Sequence, residues 1–308
     1  MKELSGNDRI TEVRTSVALG IFDGVHRGHR AVVGYAAKSA KASELASAVC
    51  TFRTATVNTK GADYRPIYSD NAKFDIIEEL GIDYIFAPDF SEIRGLSPEE
   101  FVFSVLIEKM NAAELVCGRD FHFGRNAACD VNGLAEICSA KGIGLKVIDD
   151  VSDSGVRISS AQIRKMISDG DIVSANRFLG HDYAVIGEVI EGNHIGRQLD
   201  FPTANQAMNE SFVLPKFGVY ASYAEIDGII YRGVTNVGVK PTVESKHIPL
   251  AETHFPAFDG DLYGKKLAVH LVEFIRPEQR FESLEALRGR IEKDTQTVRS
   301  YNYKINAL

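Results

Sequence analysis

Two stretches of this 308-residue chain combine glycines with the residue types that handle phosphate. The first is Gly20-Ile21-Phe22-Asp23-Gly24-Val25-His26-Arg27-Gly28-His29, which comes after a short apolar run and leads into a helical pattern. A strand-to-helix turn in a parallel sheet lies at the carboxyl edge, where such sheets bind ligands and where the next helix offers free amide protons to an anion. Gly20, Gly24 and Gly28 let the backbone approach a nucleotide closely. His26 and His29, three apart on the entering turn, can both donate to a phosphate chain as charge develops there. A second piece, Arg157-Ile158-Ser159-Ser160-Ala161-Gln162-Ile163-Arg164, opens another helix. Ser159 and Ser160 with free amides, and Arg164 one turn on, make a phosphate clamp, although an ordinary serine cap with a solvated arginine reads the same way.

The second stretch runs from Gly187 to Asn205. Its loop from Gly192 through Gly196 to Arg197 can bring amides and one guanidinium to phosphate, and Pro202 stiffens the approach to Thr203 and Asn205. A hydroxyl and an amide oxygen two residues apart in extended chain are suitable hard ligands for a Mg²⁺ that also bridges ATP phosphates. Taken on its own, Pro-Thr-Ala-Asn reads more simply as a turn and the start of a strand.

Two different frameworks must position these groups. Up to about residue 180, short apolar strands alternate with helical stretches. Strands are expected at Ser16–Leu19, Ala46–Phe52, Tyr84–Ala87, Glu114–Cys117 and Leu145–Ile148, with helices from His29, near Asn71–Leu80, from Ser97 and near Asp130–Lys141. That alternation predicts βαβ units around a parallel sheet. Ser97, Pro98 and Glu100 form a capping-box pattern for one helix start. After Gly180 the pattern becomes closely spaced strands, expected at Tyr183–Glu191, Val219–Ile226, Ile229–Val237, Glu252–Phe258 and Lys266–Phe274. Asp227-Gly228 and Asp259-Gly260 supply turn signals, so a small barrel or sandwich is expected. One helix comes last, capped near Ser283, with Leu284, Leu287 and Ile291 on one face. The expected domains are therefore 1–180 and 181–308.

The chain's 35 basic and 42 acidic side chains give a net charge of −7, which offers no footprint for polyanionic nucleic acid or an anionic membrane. Any nucleotide partner should be small. Cys50, Cys117, Cys129 and Cys138 are too few and too irregularly spaced for a disulfide framework or a zinc pair, and buried free thiols are expected. The polar N-terminus and the absence of a long apolar run predict a cytoplasmic protein without a membrane span.

Gly-x-Phe-Asp-Gly-x-His-x-Gly-His followed by Ile-Ser-Ser-x-x-Ile-Arg resembles the nucleotidylyltransferase half of the bifunctional prokaryotic riboflavin kinase/FMN adenylyltransferases, or FAD synthetases. Between them, Gly118-Arg119-Asp120-Phe121-His122-Phe123-Gly124 is similar to a segment implicated in that family's flavin side, which makes Asp120 a candidate. The resemblance implies a Rossmann-like, doubly wound parallel sheet, and the reaction of FMN with ATP to give FAD and pyrophosphate. On it, Gly20, Phe22, Asp23, Gly24 and Gly28 belong to the nucleotide loop, His26 and His29 stabilise the transition state, and Ser159, Ser160 and Arg164 hold the triphosphate. The FMN phosphate attacks the α-phosphorus, so positioning and charge stabilisation supply most of the catalysis. The chain departs from the family pattern in three places: Ile21 stands for the usual Asn, Arg53-Thr54-Ala55-Thr56 replaces a Pro-His-Pro after Thr51-Phe52, and Cys129 replaces a Gly.

Gly192, Gly196, Arg197 and Phe201-Pro202-Thr203-Ala204-Asn205 begin a second series of resemblances. Gly218-Val219-Tyr220-Ala221, Asn236-Val237-Gly238-Val239-Lys240-Pro241-Thr242, Glu252-Thr253-His254, Asp261-Leu262-Tyr263-Gly264 and Arg276-x-Glu278-x-x-Phe281 then come in riboflavin kinase order. The resemblance implies a small β-barrel with a C-terminal helix that transfers phosphoryl from ATP to the 5′-hydroxyl of riboflavin. Thr203 and Asn205 would serve Mg²⁺ and ATP, Glu252 would accept the hydroxyl proton, and Arg276 with the C-terminal helix would lie on the flavin side. Asp200, where the family commonly has Gly, adds negative charge near the polyphosphate.

The leading expectation is thus a two-site enzyme acting on riboflavin, FMN, FAD and ATP. The runner-up, motivated by the missing Pro-His-Pro, is a riboflavin kinase whose first half serves as scaffold or flavin-binding module. A flavin-sensing regulator and a transferase for a non-flavin substrate are further alternatives; the acidic charge opposes the former, and the second half has no purpose in the latter.

Overall fold

In the computed structural model, residues 1–6, 8–54, 64–191, 201–240 and 248–301 are described. They divide into two compact units, Met1–Ser160 and Ala161–Leu308.

The first unit is built on strands β1 (Lys2–Leu4), β2 (Thr15–Leu19), β3 (Ala46–Cys50), β4 (Tyr84–Phe86), β5 (Ala112–Gly118) and β6 (Gly144–Ile148). They form one parallel sheet in the order β1-β4-β3-β2-β5-β6. Helix α1 (Arg27–Ala42) comes after β2, α2 (Asp70–Glu79) precedes β4, α3 (residues 98–109) precedes β5, and α4 (Val131–Lys141) joins β5 to β6. All five residues of β2 are buried, as expected of a strand covered on both faces. The strand order reverses at β2, whose neighbours are β3 and β5. The carboxyl ends of β2 and β5 therefore flank the crevice where doubly wound sheets take ligands.

Local signals explain several boundaries. Ser97 Oγ accepts from the Glu100 amide at 3.1 Å while the Glu100 carboxylate accepts from the Ser97 amide at 2.7 Å, completing the expected capping box. The α turn Pro98–Glu100 then widens into a π-helical stretch, Phe101–Lys109. β1 is not among the expected strands: of its three residues only Leu4 is buried, so it carries no apolar run. A short antiparallel pair, β7 (Ser152–Asp153) and β8 (Val156–Arg157), closes the unit.

The second unit opens with α5, which spans Ser160–Asp169 and so begins on the last residue of the first unit, and α6 (Ile172–Leu179). The change of strand period at Gly180 falls after this pair. Asn176 ties α6 to the strands beyond it: its Nδ2 donates to Leu271 O at 2.9 Å and its Oδ1 accepts from the Tyr183 amide at 2.8 Å.

Strands β9 (Ala184–Ile190), β10 (Thr203–Ala207), β11 (Gly218–Ile226), β12 (Ile229–Lys240), β13 (Ile248–His254) and β14 (Lys266–Arg276) close into an antiparallel barrel in the order β10-β13-β12-β11-β14-β9. Asp227 and Gly228 both have positive φ, 51° and 80°, as a two-residue primed hairpin requires. β10 is a full strand rather than a turn, and it closes the barrel. Helix α7 (Leu284–Ser300) starts at the Ser283 cap, whose Oγ accepts from the Ala286 amide at 3.1 Å. Its expected apolar face is corrected: Leu284 is 58% exposed, and the buried positions are Asp294, Thr295 and Val298.

Candidate functional site

In the first unit, the loop after β2 folds around three rings. Phe22 takes a left-handed backbone, φ 54°, and buries its side chain. A Cβ on Gly20 would stand 2.8 Å from that ring, so only glycine leaves Phe22 its place. The His26 and His29 rings stack with centroids 3.6 Å apart, and Phe22 meets His29 edge-on at 5.4 Å. His26 also caps α1, because its Nδ1 accepts the His29 amide N–H at 3.3 Å. A ring nitrogen that accepts leaves the proton of a neutral imidazole on Nε2, so His26 can donate from its far side. At Gly28 an added Cβ would lie 3.1 Å from the His26 ring. Gly24, with φ 79°, makes the turn between these rings.

Asp23 is buried and its carboxylate is engaged, accepting the Ile67 amide at 2.8 Å. Its backbone carbonyl accepts the Ser160 hydroxyl at 3.0 Å. The two expected phosphate pieces are thereby tied together: Ser160, with Ser159 beside it, is anchored on the glycine loop. Arg164 lies one turn later in α5, on the second unit's side of the division.

Asp120 leaves β5 at the same sheet edge and is exposed. It pairs with Arg157 at 2.6 Å, and Arg157 also reaches Asp150 at 3.2 Å. Arg27 pairs with Asp153 at 2.5 Å. Beside Asp120 in the chain, Phe121 and Phe123 stack at 5.5 Å and 14°.

The start of the segment that replaces the resemblance's Pro-His-Pro is held by a residue that sequence reasoning misses. The Lys73 ammonium, on a side chain only 2% exposed, donates to Phe52 O at 2.7 Å and Thr54 Oγ1 at 3.2 Å, and pairs with Asp70 at 3.3 Å. Asp70 in turn accepts the Thr54 amide at 2.8 Å. Burial lowers the Lys73 pKa, with Asp70 pulling the other way. Its signal is a lysine on the apolar face of α2 beside Ile76 and Ile77. Arg53 pairs with Glu3 and lies over the Phe74 ring at 5.2 Å. The four cysteines are free thiols; burial pushes Cys50 and Cys117 up to about 12 and Cys138 to about 11, so none of these three is poised as a nucleophile.

In the second unit, the register of the barrel assembles the polar set. Glu252 on β13 lies directly opposite Asn205 on β10 and Asn236 on β12. Thr203 lies opposite His254. Directly paired residues share a sheet face, and neighbours along a strand do not. The Asn205-Glu252-Asn236 row therefore occupies one face, while Ser222, Thr235 and Thr253 form a buried hydroxyl chain on the other, each link 2.8 Å. Asn205 is buried; its Nδ2 donates to Thr203 O at 3.2 Å, and its Oδ1 has no hydrogen-bond partner among the described residues. A buried amide oxygen left open beside a threonine hydroxyl fits a hard cation such as Mg²⁺. His254 bonds Pro202 O through Nδ1 at 3.0 Å, and burial lowers its pKa.

Arg276, expected with the C-terminal helix on the flavin side, is paired with Asp294 of that helix. Its Nε and Nη2 donate to Asp294 Oδ2 at 3.0 and 2.8 Å, and Nη1 donates to Pro277 O at 3.1 Å. Arg290 adds a bond to Asp294 Oδ1 at 3.1 Å. The fork thus locks the end of β14 to α7. Beyond it, Glu278 packs over Gly238, where an added Cβ would meet the carboxylate at 2.0 Å. A cavity of about 360 Å³ opens between this segment and α7, lined by Gln279, Phe281, Ala286, Gly289, Arg290 and Lys293. Gly192, Gly196 and Arg197, together with Ala55-Thr56, Asp200 and Pro241-Thr242, lie outside the described residues.

Comparison with known proteins separates the same two halves. Residues 9–162 match the FAD synthetase family and residues 179–302 match the riboflavin kinase family. A bifunctional riboflavin kinase/FMN adenylyltransferase from Bacillus subtilis is 34% identical over 94% of this chain and 93% of its own. The protein of that description from Escherichia coli K12 is 32% identical over 92% of each chain. Among solved structures, a macrolide-efflux protein from Streptococcus pneumoniae superposes with a TM-score of 0.85, at 27% identity over 96% of this chain and 97% of that one. Among the described residues, no helix is long and apolar enough to cross a membrane.

Proposed function

The chain belongs to the family of bifunctional riboflavin kinase/FMN adenylyltransferases, and from that membership we propose how its residues divide the work. The enzyme phosphorylates riboflavin to FMN with ATP, and adenylylates FMN to FAD with release of pyrophosphate. Its partners are these small molecules, and ATP-dependent transfers of this kind use a divalent metal.

Phosphorylation of riboflavin is assigned to residues 181–308. The reading rests on one observation, the Asn205-Glu252-Asn236 row on a single sheet face. Glu252 is the general base: its carboxylate accepts the proton of the riboflavin 5′-hydroxyl as that oxygen bonds to the γ-phosphorus and the bond to ADP breaks. Thr203 and the open Oδ1 of Asn205 would hold Mg²⁺, which would supply neutralising charge at the ATP phosphates. The cavity walled by Phe281 and Arg290 offers an aromatic face to the flavin, with Arg276 acting through Asp294 to hold the wall.

Adenylylation is assigned to residues 1–180. The stacked histidines at the N-terminus of α1 support it: His26 Nε2–H and His29 donate to the phosphate chain of ATP, with the free amides of the helix start beside them. An oxygen of the FMN phosphate attacks the α-phosphorus in line and pyrophosphate departs, so no enzyme nucleophile is required. Gly20, Phe22, Asp23, Gly24 and Gly28 build the loop, Ser160 is fixed on it through the Asp23 carbonyl with Ser159 beside it in the chain, and Asp120 stands at the flavin side. Lys73 and Asp70 order the backbone at Phe52 and Thr54 without a histidine there. Free thiols, all but Cys129 buried, support a reducing, cytoplasmic location.

Running the half-reactions separately tests the assignment. Purified protein with ATP and Mg²⁺ should make FMN from riboflavin and FAD from FMN; a His26→Ala, His29→Ala double variant that still made FAD at the full rate would overturn the role given to the histidines.

A further inference from the structure

We propose that His254 is a positioning residue for riboflavin phosphorylation, setting the orientation of Thr203 and Asn205 through the carbonyl of Pro202. The inference rests on the reading of Thr203 and Asn205 as the groups that hold Mg²⁺ with ATP.

The ladder between β10 and β13 has Thr203 opposite His254 as its first pair. Pro202 stands one residue outside that ladder, has no N–H to contribute, and presents only its carbonyl. His254 reaches it: Nδ1–H donates to Pro202 O at 3.0 Å, across 52 residues of sequence. The same ring meets Phe201 edge-on, with centroids 5.1 Å apart and planes at 87°. One imidazole, 8% exposed, therefore fixes both residues that precede Thr203.

The consequence for the site comes from peptide planarity. The Pro202 carbonyl and the Thr203 N–H and Cα lie in one plane, so holding the oxygen fixes the Thr203 N–Cα axis, and the β10–β13 ladder then sets the rotation about it that aims the side chain. Thr203 passes the constraint on, because its own carbonyl accepts Asn205 Nδ2 at 3.2 Å and so turns Oδ1 to its open position. The chain of contacts His254, Pro202, Thr203, Asn205 ends on the proposed cation ligands. His254 also shares its sheet face with Glu252, two residues earlier.

Three substitutions and one control test this in the full-length protein, with riboflavin phosphorylation followed against Mg²⁺ and against ATP. His254→Phe keeps the ring and its contact with Phe201 but removes the donor. His254→Asn places an amide N–H near the Nδ1 position, and His254→Gln places it too far out. His254→Phe and His254→Gln should raise the half-saturating Mg²⁺ and the KM for ATP about tenfold, the worth of one lost hydrogen bond in a fixed site, with the KM for riboflavin unchanged. His254→Asn should restore both to within about threefold. If His254→Phe fails to fold, the contrast between Asn and Gln decides. Equal values for all three variants, or a matching rise in the riboflavin KM, would overturn the proposal. Asn205→Ala is the control: if it shifts Mg²⁺ dependence and His254→Phe does not, His254 alone is misassigned; if Asn205→Ala leaves Mg²⁺ dependence unchanged, the metal assignment fails and this inference with it.

Discussion

The imidazoles of His26 and His29 lie face to face, 3.6 Å apart, and Nδ1 of the first accepts the backbone N–H of the second. One residue is thus both a helix cap and a candidate phosphate donor, whereas the other is a donor only. His26→Ala should therefore lower stability by about 1 kcal/mol as well as slowing FAD formation. His29→Ala should slow FAD formation by a comparable factor, on the order of 10²–10³, with a smaller change in melting temperature. Thermal melts alongside FAD assays check this; equal loss of stability in both variants would refute the split.

Glu252→Gln keeps the shape of the Asn205-Glu252-Asn236 row but removes the proton acceptor. Riboflavin phosphorylation should fall by roughly 10²–10⁴, while FAD formation from supplied FMN stays at the parent rate. Persistence of kinase activity in this variant would move the base elsewhere.

Asp294→Asn tests the clasp on α7. Asp294 is 2% exposed and carries both Arg276 and Arg290, so neutralising it leaves two guanidinium groups without their counter-charge. Breaking a buried pair of this kind costs about 3–5 kcal/mol. Urea unfolding of the second unit's transition should show it, together with a raised KM for riboflavin from loss of the cavity wall. A neutral outcome would mean that the helix is held by Val298 and its neighbours alone.

Asp70 predicts a pH effect. Burial by itself raises its carboxyl, but hydrogen bonds from Thr54 and the charge of Lys73 outweigh that, leaving its pKa below the ordinary value. A group depressed in the folded state stabilises fully above its unfolded pKa of about 3.9, and that stability drains away as pH falls through the lower, folded value. Lys73→Met reduces the depression. Between about pH 5 and 3 the variant's stability should therefore fall less steeply than the parent's, although its stability at neutral pH is lower. Identical slopes, read from denaturant titrations across that range, would remove Lys73 from the account.

Legibility in the sequence tracks how each element is buried. β2 and β5 read clearly because strands covered on both faces are apolar runs, and the two histidines read clearly because their glycines are adjacent in the chain. β10 does not: Thr-Ala-Asn-Gln-Ala shows no apolar alternation, since it buries Gln206, whose Nε2 donates to Gly187 O at 3.0 Å and Leu267 O at 2.8 Å. Lys73 is hidden for the same reason, as a polar group whose partners become neighbours only after folding. The pairing of Arg276 with Asp294 is likewise not legible, because Asp294 sits 18 residues away in another element, where spacing gives no warning.

The pairing of Glu252 with two asparagines has a consequence for how this barrel can change over generations. Residues 251, 252 and 253 are Ala, Glu and Thr, and adjacent positions point to opposite sides of the sheet. A single-residue insertion or deletion within β13 would exchange the carboxylate for a methyl or a hydroxyl at the asparagine row and drive Glu252 toward the hydroxyl chain inside. Length variation among descendants is thereby confined to the connections between strands, and the strand itself works as a ruler whose count is under chemical selection.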